Sequence, residues 1–394
     1  MGLIVQKFGG WAVANQKRVL QSAKQVQAAV SRGDQVVVVV SAMGSQTDEL
    51  QELADRYHSQ PPAREVDVLL SSGERMTMAL FSMTLDSLGV KAISLTGSQS
   101  GILTDGTHRN AKILEVKPYR VQEALDKGYV VVVAGFQGVS PISKDITTLG
   151  RGGSDLTAVA LAVTLKANAC QLYKGVNGFM TADPQQVSSA KNLSELSWDE
   201  ACALAWSGAG ILHHRGAELA RSQKIPIELC ALKDEGRTAT RIGVVSRVES
   251  SYVKAVTQQV GQVKVSIKHA SLLPLWSDLL KWLWEKGEHT LICRLEILAD
   301  QQQGVLSVSL NFLDALQDRL KNIKAVVELQ ECSILTMVGS GFKSDIRLLN
   351  DVTKSLGGRA LFLEVDDTTL RIGVRAAETA SVLNMLHGYC VEAI

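Results

Sequence analysis

The chain has 394 residues, too many for one hydrophobic core, so two or three domains are expected. Hydrophobic residues make up 46% and charged residues 21%, ordinary globular usage, and no apolar run reaches the roughly 18 residues a membrane-spanning helix needs. A formal net charge of +1 argues against nucleic acid or an anionic membrane surface as partner, so any anionic ligand must be held by local groups.

Along the first 245 residues, strand-like and helix-like segments alternate. Residues 3–8 read as a short apolar strand ending in Gly9-Gly10, and 15–31 as a helix. The Val-rich run 35–40 has no polar alternation, as a strand buried on both faces requires. Helices follow at 47–57 and 66–88, buried strands at 92–95 and 129–134, and an apolar helix at 154–165 directly after a glycine loop. A strand at 170–173, helices at 198–205 and 215–222 and a last strand at 226–232 complete the series. The alternation predicts an α/β fold with a mainly parallel central sheet sandwiched by helices. In such sheets ligands bind beyond the carboxyl ends of the strands.

After about Gly243 the pattern changes to two rounds of roughly β-α-β-β-α. The first takes strands at 263–269, 290–298 and 305–310 with helices at 273–285 and 312–320. The second takes strands at 333–339, 358–364 and 369–374 with helices at 345–356 and 376–386. Each round is small, so the two are expected to pack together.

Several strand ends carry residues suited to binding anions. Lys7-Phe8-Gly9-Gly10 puts a point charge beside two glycines whose N–H groups can cradle phosphate oxygens, although alone it reads equally as a plain turn. Ser41-Ala42-Met43-Gly44 ends the Val-rich strand, with Ser45 and Thr47 able to bind a carboxylate or to cap the next helix. Glu74 stands in an apolar helix, where a buried carboxylate is costly unless paired; a ligand ammonium would pair it, as would Arg75 or Arg64. The strongest signal is 147–155, Thr-Thr-Leu-Gly-Arg-Gly-Gly-Ser-Asp, opening a helix. Its glycines allow close backbone approach to an anion, and Arg151 offers a planar fork for a carboxylate. Asp155 falls in the first helical turn, where the dipole favours negative charge and where capping is common.

Tyr173-Lys174-Gly175 leads into a glycine-punctuated loop closed by Asp183-Pro184, a turn by composition. The adjacent His213-His214 lacks a third ligand, so no metal site is expected. Six widely spaced cysteines, each in an apolar run, read as small buried hydrophobes of a reducing, cytoplasmic compartment. The N-terminal segment runs straight into a strand pattern with no basic stretch and apolar core, so no signal peptide is expected.

Taken in order and at their spacing, segments 7–10, 37–44, 69–74, 97–105, 131–138, 147–157, 178–184 and 196–215 resemble the aspartate kinases, amino-acid kinases with C-terminal ACT domains. The glycine–arginine loop together with the Ser-Ser-Gly-Glu-Arg-Met-Thr-Met-Ala-Leu stretch (residues 71–80) carries the resemblance. It implies an amino-acid-kinase domain at 1–245 and two α+β, ferredoxin-like ACT domains at 246–325 and 326–394. It also implies transfer of the ATP γ-phosphoryl group to the side-chain carboxylate of L-aspartate, with Mg²⁺ held mostly by the phosphates, and a homo-oligomer formed through the ACT domains.

By the same resemblance Lys7 would stabilise the γ-phosphoryl group, Arg151 would grip the substrate α-carboxylate and Glu74 its ammonium. Ser41, Thr47 and Ser154 would line the substrate pocket, and Asp155 would organise Lys7. Gly9, Gly10, Gly152 and Gly153 would donate N–H groups to the nucleotide, beside Tyr173, Lys174 and Asp183. The chain departs from the family pattern on the nucleotide side. Trp11 and Ala12 stand where two small hydroxyl residues are usual, Gly175 replaces an Asp, Met180 a Tyr, Gln185 an Arg and Gly210 a Lys. The ACT loop signals are also changed, to Leu273-Pro274-Leu275-Trp276 and Lys343-Ser344-Asp345-Ile346. Three readings follow: a kinase with a remodelled nucleotide pocket, a paralogue that binds an amino acid without phosphoryl transfer, or a kinase for a different amino acid in a specialised pathway.

Overall fold

The computed structural model describes residues 2–176, 178–232, 238–244, 252–286, 288, 290–297, 302–321 and 325–391. Asn177, Leu298 and the expected domain boundary at 245/246 lie outside the described residues. Two units form: Met1–Met180 with Asn192–Ala205 and Gly210–Ser246, and Thr181–Lys191 with Trp206–Ala209 and Arg247–Ile394.

In chain order the first unit contains β1 (Leu3–Phe8), α1 (Gln16–Ser31), β2 (Gln35–Val40), α2 (Gln46–Tyr57), α3 (Ala63–Ser87), β3 (Ala92–Leu95), β4 (Ile102–Thr104) and β5 (Ile113–Val116). There follow α4 (Tyr119–Asp126), β6 (Val130–Ala134), β7 (Gln137–Val139), β8 (Ile146–Thr148), α5 (Gly153–Thr164) and β9 (Ala169–Lys174). It closes with β10 (Glu195–Ser197), α6 (Trp198–Trp206), α7 (His214–Gln223), β11 (Ile227–Ala231) and β12 (Thr238–Gly243).

Eight strands make one sheet in the order β10-β12-β11-β9-β1-β2-β6-β3, and only the β11–β12 pair is antiparallel. The all-valine stretch of β2 and the whole of β6 are buried, which is why neither shows a polar alternation. Strand β1 lies between β2 on one side and β9 on the other, so the chain's connections part at its carboxyl end. That is the switch point at which doubly wound sheets open a crevice. Phe8 anchors it, stacked on Tyr173 with centroids 4.6 Å apart and tilted against Phe81 at 5.3 Å.

A second, four-stranded sheet, β5-β4-β7-β8, was not legible in the sequence. Its strands are only three or four residues long, too short to display a periodicity. Helix α4 was missed for the same reason, with three buried apolar residues in eight.

The second unit contains β13 (Tyr252–His269), α8 (Leu272–Glu285), β14 (Cys293–Ile297), β15 (Gln302–Ser309), α9 (Leu313–Leu320), β16 (Val326–Ser340), α10 (Ile346–Leu356), β17 (Ala360–Val365), β18 (Thr369–Val374) and α11 (Thr379–Val391). This is the expected α+β repeat, joined in one antiparallel sheet ordered β14-β15-β13-β16-β18-β17. Strands β13 and β16 run far longer than the expected 263–269 and 333–339, because they pair with each other from Tyr252↔Ser340 to Lys268↔Val326. Partnership across the sheet, rather than local apolar pattern, extends them. The first half of β13 (Val253, Val256) joins the core of α10 and α11, and the second half (Val263, Val265, Ile267) joins that of α8 and α9. Ala182 and Val187 also enter the former core. Cys293 is exposed, contrary to the reading of every cysteine as buried; edge strand β14 leaves it outside.

Candidate active site

The carboxyl ends of β9, β1, β2 and β6 meet the N-terminus of α5. Helix α5 is buried on nearly every face, so its first turn is driven into the sheet's tip. Asp155, in that turn, is buried between two ammonium groups: Lys7 Nζ stands 2.6 Å from Oδ1 and Lys174 Nζ 2.7 Å from Oδ2. Burial opposes the charge on Asp155, but Lys174 and Lys7 overcome it and hold the carboxyl well below the usual carboxylate range. Burial, together with Lys7, pulls the Lys174 ammonium down, while Asp155 supports it. Two cations on one carboxylate leave a net positive charge at the switch point, suited to a polyanion.

Backbone crowding shapes the floor of this site. A Cβ on Gly10 would stand 3.0 Å from the Gly44 carbonyl oxygen and 3.1 Å from that of Ala42, so the turn after β1 and the turn after β2 touch only through glycine. Gly152 has φ +73°, and a Cβ there would overlap the His213 imidazole. Not all four glycine donors face outward. Gly9 N–H donates to the Tyr173 carbonyl at 3.4 Å and Gly153 N–H to that of Gly150 at 2.9 Å. Gly10 and Gly152 N–H donate to nothing among the described residues.

Beyond β2, Glu74 is buried with 2% of its surface exposed. Its Oε1 accepts from the Ala42 N–H at 2.9 Å and its Oε2 has no partner among the described residues. Neither arginine weighed from the sequence pairs with it: Arg75 donates to Gln137 Oε1 at 3.1 Å, and Arg64 pairs with Glu65 and Asp145. Burial raises the Glu74 carboxyl to about 7, only partly offset by the Ala42 N–H and by Lys7. A carboxylate oxygen this deep with no donor awaits one.

The remaining expected residues are placed as follows. Ser41 is half-buried at the end of β2, its N–H donating to the Phe8 carbonyl at 3.1 Å, and Thr47 is half-buried in the first turn of α2. Ser154 is buried against Gly135, where a Cβ would come within 2.9 Å of its own. Arg151 is exposed and makes no ion pair among the described residues. Tyr173 is a core side chain, not a lining one: it stacks on Phe8, and its hydroxyl accepts from Gln6 Nε2 at 3.3 Å. Asp183 belongs to the second unit, where its Oδ1 accepts from the Gln185 N–H at 2.9 Å.

Trp11 occupies a 3-10 turn, Gly10–Val13, and its indole packs against Gly175, whose Cβ would stand 2.9 Å from the ring. The Arg18 guanidinium lies 4.0 Å from the indole centroid. Asp67 was overlooked in the sequence. It is fully buried, accepting from the Thr148 hydroxyl at 2.6 Å and the Arg109 N–H at 3.1 Å, with His108 Nδ1 at 2.7 Å. An acidic residue in an apolar helix, the signal that marked Glu74, was available for it as well.

The amino acid kinase family model matches residues 2–230. Aspartokinase 2 of Bacillus subtilis is 47% identical over 383 residues, covering 94% of this chain and 92% of its own. The chain belongs to the aspartokinase family. A Mycolicibacterium smegmatis aspartokinase is 50% identical over 229 residues, 58% of this chain. That match spans 54% of the relative's length, and an aspartokinase of Mycobacterium tuberculosis is matched over 64% of its own. The chain thus spans little more than half to about two thirds of those relatives. The fold of this aspartokinase-family chain is that of E. coli aspartokinase III crystallised with aspartate and ADP, at TM-score 0.82, 21% identity and coverage of 99% of this chain and 100% of that one.

Proposed function

We propose that the chain is an aspartate kinase, transferring the γ-phosphoryl group of ATP to the side-chain carboxylate of L-aspartate to give 4-phospho-L-aspartate, in the synthesis of lysine, threonine and methionine. The observation that carries this reading is the buried Lys7–Asp155–Lys174 cluster at the switch point, with Glu74, whose Oε2 has no partner among the described residues, within its electrostatic reach. The reaction needs no protein nucleophile; it needs positioning and charge neutralisation.

In this reading Lys7 and Lys174 face the transferring group, and Asp155 holds both ammonium groups in place. Gly10 and Gly152 offer their N–H groups to phosphate oxygens; Gly9, Gly153 and Tyr173 act by shaping the backbone, and Asp183 by closing the turn that follows. Glu74 receives the substrate ammonium, the exposed fork of Arg151 its α-carboxylate, and Ser41, Thr47 and Ser154 complete the pocket. Mg²⁺ would neutralise charge on the phosphate oxygens that hold it; among the described residues no group of three or more potential side-chain ligands forms a metal site. A cytoplasmic homo-oligomer joined through ACT modules at 246–325 and 326–394 belongs to the same proposal; within the chain the two rounds have separate cores, the second of which also takes Val253 and Val256 from the first half of β13.

The reading as a binding protein without phosphoryl transfer is weaker, because the cation pair that such a protein would not need is kept buried and matched. A coupled assay for ADP with aspartate, ATP and Mg²⁺ tests the proposal. Turnover is expected, and it should vanish in Lys7→Ala; no ADP release with any nucleoside triphosphate would reject it.

A further inference from the structure

Arg215, in the first turn of α7, is half-buried and forms no ion pair among the described residues. Its guanidinium forks onto backbone instead. Nη1 donates to the Leu149 carbonyl at 2.7 Å and to Asn110 Oδ1 at 3.3 Å, and Nη2 donates to the Ala111 carbonyl at 2.7 Å. The Leu149 carbonyl lies two residues before Arg151, in the glycine loop. Residues 110 and 111 belong to a separate loop, which Asp67 holds through the Arg109 N–H. Ala111 N–H also donates to the Thr148 carbonyl at 2.9 Å.

A planar cation bonded to three oxygens of two loops is a cross-brace with fixed geometry. The loop it braces has no slack. Gly150 has φ +79°, and a Cβ there would come within 3.0 Å of Asn110 Oδ1; the next tight contact is Gly152 against the His213 imidazole, two residues before Arg215. Arg151 therefore projects from a segment clamped on both sides, while its own side chain is exposed and has no ion-pair partner among the described residues. Rigid support beneath a free guanidinium is what accurate carboxylate recognition requires.

We propose that Arg215 is a positioning residue for the amino-acid substrate, fixing the 149–152 loop so that the Arg151 fork meets the α-carboxylate; this rests on the role given above to Arg151. It acts through Arg151 and touches no reacting atom. Steady-state kinetics of the full chain, varying aspartate and ATP separately, test it on Arg215→Ala, Arg215→Lys, Arg151→Ala and the double variant Arg151→Ala/Arg215→Ala. Arg215→Ala should raise KM for aspartate about ten- to a hundredfold, with KM for ATP and kcat changed less than about threefold. Arg215→Lys should recover part of the loss, and should serve alone where Arg215→Ala fails to fold by circular dichroism. In the double variant KM for aspartate should equal that of Arg151→Ala, because a brace has nothing left to position. Multiplicative effects in the double variant, or equal rises in both KM values, would overturn the proposal. If Arg151→Ala leaves KM for aspartate unchanged, the role of Arg151 fails first; if it raises KM while both Arg215 variants do not, this inference fails alone.

Discussion

Glu74 sets a pH signature that both stability and binding can read. Its carboxyl is raised from the ordinary range to about 7 by burial. The folded state therefore binds more protons than the unfolded one between about pH 4.5 and 7. Over that window stability falls as pH rises, and above it the penalty of the buried charge is fully present. At about 1.4 kcal/mol per pH unit, the full effect is about 3 kcal/mol. Glu74→Gln cannot titrate, so its stability relative to the parent should climb by about 3 kcal/mol from pH 4.5 to 7 and then level off, whatever offset the amide brings. Urea midpoints of the first unit across pH 4.5–8.5 measure this. An ammonium ligand at Oε2 favours the ionised form, so aspartate binding should expel the proton. At pH 7, where Glu74 is about half protonated, about half a proton should be released per ligand. Calorimetry in buffers of different ionisation enthalpy counts it. A pH-independent stability difference, or aspartate binding to the parent with no proton release at pH 7, would refute the reasoning.

Two further perturbations probe the phosphate side. Lys174→Met leaves Asp155 with Lys7 alone; kcat should fall at least tenfold with KM for aspartate little changed, and stability should drop by about 1–3 kcal/mol in denaturant titration. Gly175→Ala pushes a methyl group into the Trp11 indole, so KM for ATP should rise, and Trp11→Ala added to it should bring that KM back toward the parent's; an additive double variant would count against contact between the two.

The sequence carried most of the site and less of the frame. Glu74 was legible because it is a charged residue in an apolar helix, where burial without a partner is costly, and Lys7 and Asp155 were legible from the glycine turns beside them. The buried strands β2 and β6 were legible from unbroken valine. The small sheet of β4, β5, β7 and β8 was not, since strands so short are held by their neighbours rather than by their own pattern. Long-range pairing likewise hid the true length of β13 and β16. Arg215 shows the remaining gap: three of its contacts are to loop oxygens more than sixty residues away, and nothing local marks a cation for that task.

The departures on the nucleotide side bear on each other. Trp11 stands where the family pattern has a small hydroxyl residue and Gly175 where it has an acid, and the structure makes these one change: the indole lies where any side chain at 175 would begin. An Asp at 175 would require the Trp11 indole to move from its present place. Next in the chain, Lys174 carries a cation onto Asp155, and Arg18 lays another across the indole while donating to the Trp11 carbonyl at 3.2 Å. A site abandoned by selection accumulates changes that do not know of one another, leaving voids and unpaired buried charge. Here the indole of Trp11 fills the space above Gly175, and Asp155 is paired with both Lys7 and Lys174. Matched substitutions of this kind favour a nucleotide pocket rebuilt around an aromatic ring over one that has been lost.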